Sequence, residues 1–439
     1  MMRVARRNTE LGLIVIGGLV VAGAYVLASL GRTASLPVDI GPFLGIILAL
    51  FAVAHLATRR LVPHADGVLL PLAGLLNGIG YVFIARLDQG LAGFQAVWTA
   101  IGIGAFVATL VVVRRARDLE RYRYTFALLG IGLLLMPLLP GVGRTINGAR
   151  LWVSAGSVNF QPGELAKIVL AVFFASYLVE KRELLSLATH RVGPVLIPDF
   201  KHFGPILLAW GMSLVIMMAE RDLGSSLLFF ALFISLLWVA TARGTYIGIG
   251  AGLFGIGALI AWRTFEHVQT RVTSWLDPWS VAQGAGFQTV QSWFAFAAGG
   301  LAGTGLALGS PQKIPNAETD FIFAAIGEEL GLLGATAVLV AYLLMIGVGF
   351  RIALRAEHPF EKLLAAGLTT ILGVQTFIIL GGVTRLVPLT GVTLPFVSYG
   401  GSSLLANYVL LALLLRISHD TATRAAAAPG SRAGPAKER

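Results

Sequence analysis

The 439-residue chain carries a formal net charge of +11, yet only 13% of its residues are charged and 56% are hydrophobic. A soluble domain holds about 25% charged residues, so this composition, with a mean hydropathy of +0.81, excludes an ordinary soluble enzyme and points to an integral membrane protein. Cysteine is absent, which removes disulfide and thiolate chemistry, and the seven scattered histidines form no HExxH-type pair for a metal site.

A bilayer crossing needs an apolar window of about 18–21 residues. Twelve such windows predict an all-α polytopic protein, at 11–30, 41–58, 67–85, 95–113, 124–140, 164–180, 204–220, 223–241, 245–263, 332–350, 363–382 and 400–416. The opening MMRVARRNTE before the first window resembles a secretory signal, but no A-x-A site precedes GRTASLP, so an uncleaved helix is expected. Glycine is abundant, at 53 residues, as suits helices that pack closely in lipid. An even number of crossings puts both termini on one side. With the N-terminus inside, 23 of the 33 Lys and Arg residues fall near the inner face. That bias follows the positive-inside rule and predicts cytoplasmic termini. The excess charge is then topological, and no nucleic-acid partner is implied. The tail TATRAAAAPGSRAGPAKER is Ala/Pro/Gly/Arg-rich and lacks periodicity, so 419–439 is expected to be a disordered cytoplasmic end.

The polar residues gather in four segments on the outer side: 141–164, 220–225, a long insert at 264–325, and 381–403. In FQPGELAK, Glu164 and Lys167 are three apart and share a helical face. Two readings stand: an interfacial pair with a snorkelling lysine, or a charged pair facing a water-filled cavity. In ERDLGSS, Asp222 is either a helix cap or part of a polar site. Inside the insert, RVTSWLDPWSVAQ places Asp277 before Pro278, between Trp275 and Trp279. Asp-Pro could begin a short helix. Alternatively Asp277 is a carboxylate at the membrane surface able to accept a proton from a hydroxyl. The apolar run FQTVQSWFAFAAGG is too short to cross and is expected to be re-entrant or interfacial. Glu318, Asp320, Glu328 and Glu329 lead into a helix, where acids suit the dipole. PFVSYGGSS, with Ser398, Gly400 and Gly401, is either a ligand-contacting turn or a tight helix entry.

Taken together and in order, NGARLWVSAGSVNFQPGELAK, RDLGSS, RVTSWLDPW, QSWFAFAAGGLAGTGLALGS, IPNAETDFIFAAIGEELGLLG and PFVSYGGSS resemble the RodA/FtsW/SpoVE family of bacterial membrane proteins. The resemblance spans roughly residues 67–416. It implies a peptidoglycan glycosyltransferase that polymerises lipid II at the outer face of the cytoplasmic membrane. It also implies a class B penicillin-binding protein (a transpeptidase) as partner, within the elongation or division machinery. By motif matching, Asp277 falls on the family's essential aspartate, Glu164 and Lys167 on its Glu-x-x-Lys pair, and Arg150 on the arginine of the NGARLW segment. Asp222 falls on the aspartate of a turn that usually reads Gln-Pro-Asp-Leu-Gly, where this chain has Glu220-Arg221 before it. Family members typically have ten helices. The surplus here is an N-terminal pair within 1–62, as in actinobacterial-type members, ahead of a core at 63–418.

The implied reaction joins a sugar 4-hydroxyl to an anomeric carbon and expels a lipid pyrophosphate. An α-linked donor and β-linked product need one inverting displacement, hence one base, the part given to Asp277. A glycosidase's second carboxylate is not needed, because pyrophosphate leaves readily. Positive charge is needed where the phosphates lie, and Lys167, Arg150 and Arg271 are on the correct side; Asp222, Ser398, Gly400 and Gly401 complete the candidate substrate contacts. No motif demands a cofactor, and a divalent cation at Asp277 is left open. The rival readings are a lipid II flippase and a non-catalytic scaffold; the one-sided gathering of polar motifs and the lack of an inverted repeat favour the enzyme.

Overall fold

The structure, a computed structural model, describes residues 2–35, 40–146, 149–155, 158–186, 190–192, 195–197, 211 and 222–427. It is overwhelmingly helical. Its helices are α1 (Met2–Thr33), α2 (Ile40–Leu61), α3 (Leu69–Leu87), α4 (Gln89–Val112), α5 (Arg123–Leu135), α6 (Pro162–Ser186) and α7 (Leu223–Thr241). They continue as α8 (Thr245–Thr264), α9 (Glu266–Leu276), α10 (Phe287–Gly299), α11 (Ile322–Arg355), α12 (Pro359–Val383) and α13 (Gly401–Ala427). Among the described residues, nine helices are long and apolar enough to cross a membrane. Eleven of the twelve predicted windows overlap described helices, and the window at 204–220 lies, but for residue 211, outside the described residues.

The most buried spans are α6, α12 and α13, with α3 close behind, whereas α1 and α8 turn most of their surface outward. Exposed Ile16, Leu19, Phe254, Ile256, Leu343 and Leu354 are therefore the lipid-facing stripe of a membrane protein, not a flaw of packing. Close helix approach relies on small residues. At the start of α13, a methyl group on Gly401 would lie 2.0 Å from the ring of Trp98 on α4, so only glycine fits.

Two features depart from the sequence expectations. The polar segment after α5 forms a three-stranded antiparallel sheet of β1 (Gly143–Ile146), β2 (Ala149–Ala155) and β3 (Val158–Phe160), in the order β1-β2-β3. A second antiparallel pair joins β4 (His190–Val192) to β5 (Val195–Ile197). The strands are short and lie between long helices, so helical periodicity masks them. The second departure is the tail. α13 continues to Ala427, so residues 419–427 are helical and not a disordered end. Tertiary contacts hold this extension: Asp420 Oδ2 accepts from the Ala116 N–H at 2.9 Å, the His419 and His64 rings stack at 5.2 Å, and Arg424 pairs with Glu361. The alanines after Arg424 are strong helix formers. The remainder of the tail lies outside the described residues.

The long insert is folded against α11. α11 is two helical pieces joined at Gly331, whose φ of 66° and ψ of −169° are non-helical. Into this break runs the glycine-rich strand of the insert. Leu332 and Leu333 N–H groups donate to the Gly300 and Leu301 carbonyls at 3.0 and 3.2 Å, while Thr304 and Gly305 N–H groups donate to Glu328 and Glu329 carbonyls at 2.9 and 3.1 Å. The orphan backbone groups that a helix break creates are thus satisfied by the insert. Glu328 and Glu329 are not dipole partners in an exposed first turn. Both are buried: Glu328 Oε1 accepts from Ser310 N–H at 2.7 Å, and Glu329 accepts from Ala307 N–H at 2.9 Å while pairing with Arg86 at 3.1 Å.

Candidate active site

Pro162 opens α6, which sets Glu164 in its first turn and Lys167 one turn on. Their side chains form an ion pair at 2.6 Å and are 6% and 4% exposed, so the snorkelling surface pair is not what the fold makes. Lys167 Nζ also donates to Gln375 Oε1 on α12 at 2.7 Å, and Gln375 Nε2 donates to the Thr393 carbonyl at 2.9 Å. A buried charge pair is tolerable only when its remaining hydrogen-bonding capacity is met, and Gln375 meets that of the lysine. The pair is thereby tied to the loop between α12 and α13.

Three further charged groups lie near the same loop. Asp222 caps α7, with Oδ1 accepting from Ser225 N–H at 3.0 Å and Oδ2 from the Ser225 hydroxyl. Burial pushes its carboxyl up from the ordinary aspartate value; the Ser225 hydrogen bonds and the Arg271 charge pull it down, and Glu164 pushes it up. Asp222 therefore senses both Arg271 and Glu164. Arg271, on α9, donates from Nη1 to the carbonyls of Thr390 at 2.8 Å and Leu389 at 3.3 Å. Asp320 lies close by: burial pushes its carboxyl up to about 6, with Arg271 opposing the shift and Glu318 adding to it. Gly391, at φ 75°, leaves room there, because a methyl group on it would stand 3.7 Å from Asp320 Oδ2 and 3.9 Å from Arg271 Nη2.

Arg271, Asp320, Ser274, Asn316, Gln288 and Arg385 help to line a cavity of about 420 Å³. Such a volume lies within the ~300–1,000 Å³ of small-molecule sites. The Ser274 hydroxyl is buried there without a hydrogen-bond partner among the described residues.

Asp277 lies just beyond the residues of α9 that line this cavity. It does not begin a helix: it ends α9, donating its N–H to the Thr273 carbonyl at 2.8 Å, and residues 278–286 run in turns. Pro278 enforces the stop, since a residue before proline avoids helical angles; Asp277 has φ −140° and ψ 74°. Its carboxylate is exposed, with one weak hydrogen bond from Ser280 N–H at 3.3 Å. Trp275 and Ser274, two and three residues earlier, line the cavity. Asp277 is thus accessible, lightly bonded and beside a polar chamber.

The remaining candidates contact the protein scaffold. Arg150, on β2, donates to the Leu139 carbonyl at 3.0 Å. Ser398 donates to the Thr319 carbonyl at 2.6 Å and accepts from Leu394 N–H at 2.9 Å, and Tyr399 N–H donates to the Glu318 carbonyl at 2.8 Å. These bonds hold the segment that carries Asp320. Gly400 packs against Thr393, and Gly401 against Trp98. α10, at the position of the short apolar run, packs on α11 and exposes Phe294, whose ring meets Trp279 edge-on at 5.9 Å. Among the described residues no group of three or more His, Cys, Asp or Glu side chains comes together.

Sequence reasoning passed over Gln375, Ser274 and Arg385, and gave Asp320 only a helix-dipole role. Gln375 lies inside an apolar helix with no local motif. Asp320 carried a readable signal, an acid immediately before the apolar run Phe321–Ala325.

Comparison with known proteins places the chain in a family. A sequence model of the FtsW/RodA/SpoVE family, described as cell cycle protein, matches residues 80–423. The chain is 44% identical over 425 residues to the peptidoglycan glycosyltransferase RodA of Mycobacterium tuberculosis, covering 94% of this chain and 91% of that protein. It is 33% identical over 371 residues to a probable peptidoglycan glycosyltransferase FtsW of Geobacter metallireducens, covering 81% and 95%. A solved peptidoglycan synthase complex that coordinates polymerization and crosslinking contains a chain with a TM-score of 0.66 and 27% identity, covering 81% of this chain and 98% of that one. The chain, a multi-pass membrane protein, belongs to the FtsW/RodA/SpoVE family.

Proposed function

We propose that the chain is a peptidoglycan glycosyltransferase that polymerises lipid II, with Asp277 as the general base. The carrying observation is that Arg271, Asp320 and the Glu164–Lys167–Gln375 chain converge on loop 389–393, that Arg271, Asp320, Leu389 and Gly391 line a cavity, and that the exposed Asp277 follows the lining Trp275 by two residues. In this reading the acceptor sugar sits in the cavity and its 4-hydroxyl gives its proton to the Asp277 carboxylate. The oxygen bonds to the anomeric carbon of the donor as the carbon–oxygen bond to pyrophosphate breaks on the opposite side. Arg271, at the cavity wall, supplies positive potential where the departing phosphates gather charge, and Lys167, paired with Glu164, holds loop 389–393 through Gln375. Arg150, Asp222, Ser398, Gly400 and Gly401 act by holding the walls. A divalent cation, if bound, would be held by the Asp277 carboxylate and would offset charge gathering on the departing pyrophosphate; chelation tests this.

The greater identity with the protein named RodA, over a larger share of this chain, supports a RodA-type role over an FtsW-type one. The basic inner loops support cytoplasmic termini. A crosslinking transpeptidase of the penicillin-binding class is the proposed partner, supported by the likeness to a complex that couples the two activities. The undecaprenyl tail would lie along the apolar surface of Trp279 and Phe294, both more than half exposed.

The test is polymerisation of fluorescent lipid II by the purified chain, with and without the transpeptidase. Asp277→Asn keeps the shape and removes the base, and a loss of about 10²–10⁴ in rate is expected. Equal strand synthesis by both proteins would reject the base. No synthesis by either, partner present, would return attention to lipid translocation.

A further inference from the structure

Arg385 occupies a position that ordinarily belongs to glycine. α12 ends in a Schellman motif: Leu386 N–H donates to the Gly381 carbonyl at 2.7 Å and Arg385 N–H to the Gly382 carbonyl at 3.3 Å, around the cap Thr384. The residue after such a cap is left-handed and is most often glycine. Here it is arginine at φ 65°. A non-glycine residue held in that region is strained, and such strain collects where the surrounding structure uses it.

What the arginine does is visible in its contacts. Nε donates to the Trp275 carbonyl at 2.7 Å, and Nη2 donates to the Leu276 carbonyl. These are the last two carbonyls of α9, immediately before Asp277. The last carbonyls of a helix lack partners within it and carry its negative dipole end, so a two-pronged cation suits them on both counts. In the reverse direction, Trp275 Nε1 donates to the Arg385 carbonyl at 3.0 Å. The guanidinium also lies 5.0 Å from the ring centre of Trp293 on α10, which meets Trp279 edge-on at 6.1 Å. One side chain thus joins the end of α12 to α10 and to the end of α9, which runs directly into Asp277.

We propose that Arg385 is a positioning residue for Asp277: its guanidinium fork locks the C-terminus of α9 and fixes the carboxylate that follows the cavity-lining Trp275. The proposal rests on Asp277 being the base. It needs no direct contact between Arg385 and substrate, although Arg385 borders the same cavity.

Glycine is the informative substitution. Arg385→Gly relieves the left-handed strain and keeps the carbonyl that receives Trp275, so it removes the fork with little threat to folding. Arg385→Lys keeps the charge and loses the fork. The full chain with its transpeptidase, in lipid nanodiscs, is assayed for kcat, KM, thermal midpoint and amide hydrogen exchange over 273–280, with Asp277→Asn in parallel. A misplacement of about 1 Å can cost about 10²-fold in rate. The expected result for both Arg385 variants is a kcat lower by about 10–100-fold, KM within about twofold, and faster exchange at 276–280. The midpoint of Arg385→Gly should be unchanged or higher. Wild-type kcat in Arg385→Gly beside an inactive Asp277→Asn would overturn the positioning role alone. A raised KM at unchanged kcat would make Arg385 a substrate contact, and full activity in Arg385→Lys would show that a point charge suffices; either overturns the proposal. Activity in Asp277→Asn would remove the base itself, and this role with it.

Discussion

Lys167 on α6 and Gln375 on α12, 208 positions apart in sequence, meet at 2.7 Å in the interior, with Glu164 completing the contact to the lysine at 2.6 Å. Replacing Lys167 by methionine leaves Glu164 as a buried unpaired charge. Breaking a buried pair costs about 3–5 kcal/mol, so the thermal midpoint should fall sharply. Replacing Glu164 and Lys167 together by apolar residues of similar size should recover most of the stability and none of the polymerisation. Recovery of activity in the double variant would show that the pair is structural only.

Asp320 yields a pH dependence whose sign can be worked out. Its carboxyl is raised from 3.8 to about 6 in the folded protein. Between those values the folded state holds the proton more tightly than the unfolded state, so stability falls as pH rises from about 4 to about 6 and then levels. The two-unit shift corresponds to roughly 3 kcal/mol at most. Asp320→Asn should therefore be more stable than wild type at pH 7, with the advantage gone near pH 4. Melting curves in nanodiscs across that range decide it; an advantage independent of pH would mean that Asp320 is not the titrating group.

Gly401→Ala should disrupt the α4–α13 contact, since the added methyl would lie 2.0 Å from Trp98. Overpacking of this kind costs about 1–3 kcal/mol. Trp98→Leu should rescue folding of Gly401→Ala, as read by yield of monodisperse protein. A failure to rescue would place the clash elsewhere.

Two truncations distinguish the last turns of α13 from the residues beyond Ala427. Removing 428–439 leaves the contacts of Asp420 with Ala116 and of Arg424 with Glu361 in place, and the thermal midpoint should not move. Removing 419–439 strips both and leaves Glu361, only 1% exposed at its side chain, without its arginine. That variant should melt several degrees lower. Equal midpoints would reduce the extension to an incidental helix.

The apolar windows were legible because hydropathy is a local property: about twenty apolar residues can be satisfied in lipid only as a helix. The motifs around Asp277, Glu164 and Lys167 were legible for a similar reason, as each is a short run of unusual polarity. Local reasoning left two details of these residues open and misread the tail. The Glu164–Lys167 spacing did not reveal a buried pair, because Gln375 comes from a distant apolar helix. Asp-Pro fitted a helix start as well and is a helix end: Pro278 stops α9, and Arg385, a distant residue, caps its last carbonyls. The alanine-rich tail looked formless and is helical to Ala427, because Asp420 and Arg424 find partners on other elements.

By itself, the sequence determined the membrane class, most of the spans and which short segments carry polar chemistry, since each depends on neighbours within a turn or two of helix. Only the tertiary structure decided which charges are buried together, that Asp320 and Ser274 share a chamber beside Asp277, and that an arginine stands where glycine is usual. Those outcomes depend on pairings between residues more than a hundred positions apart, Arg385 with Trp275 and Arg271 with Thr390 among them. The energy of such a contact arises only once packing has removed water from both partners.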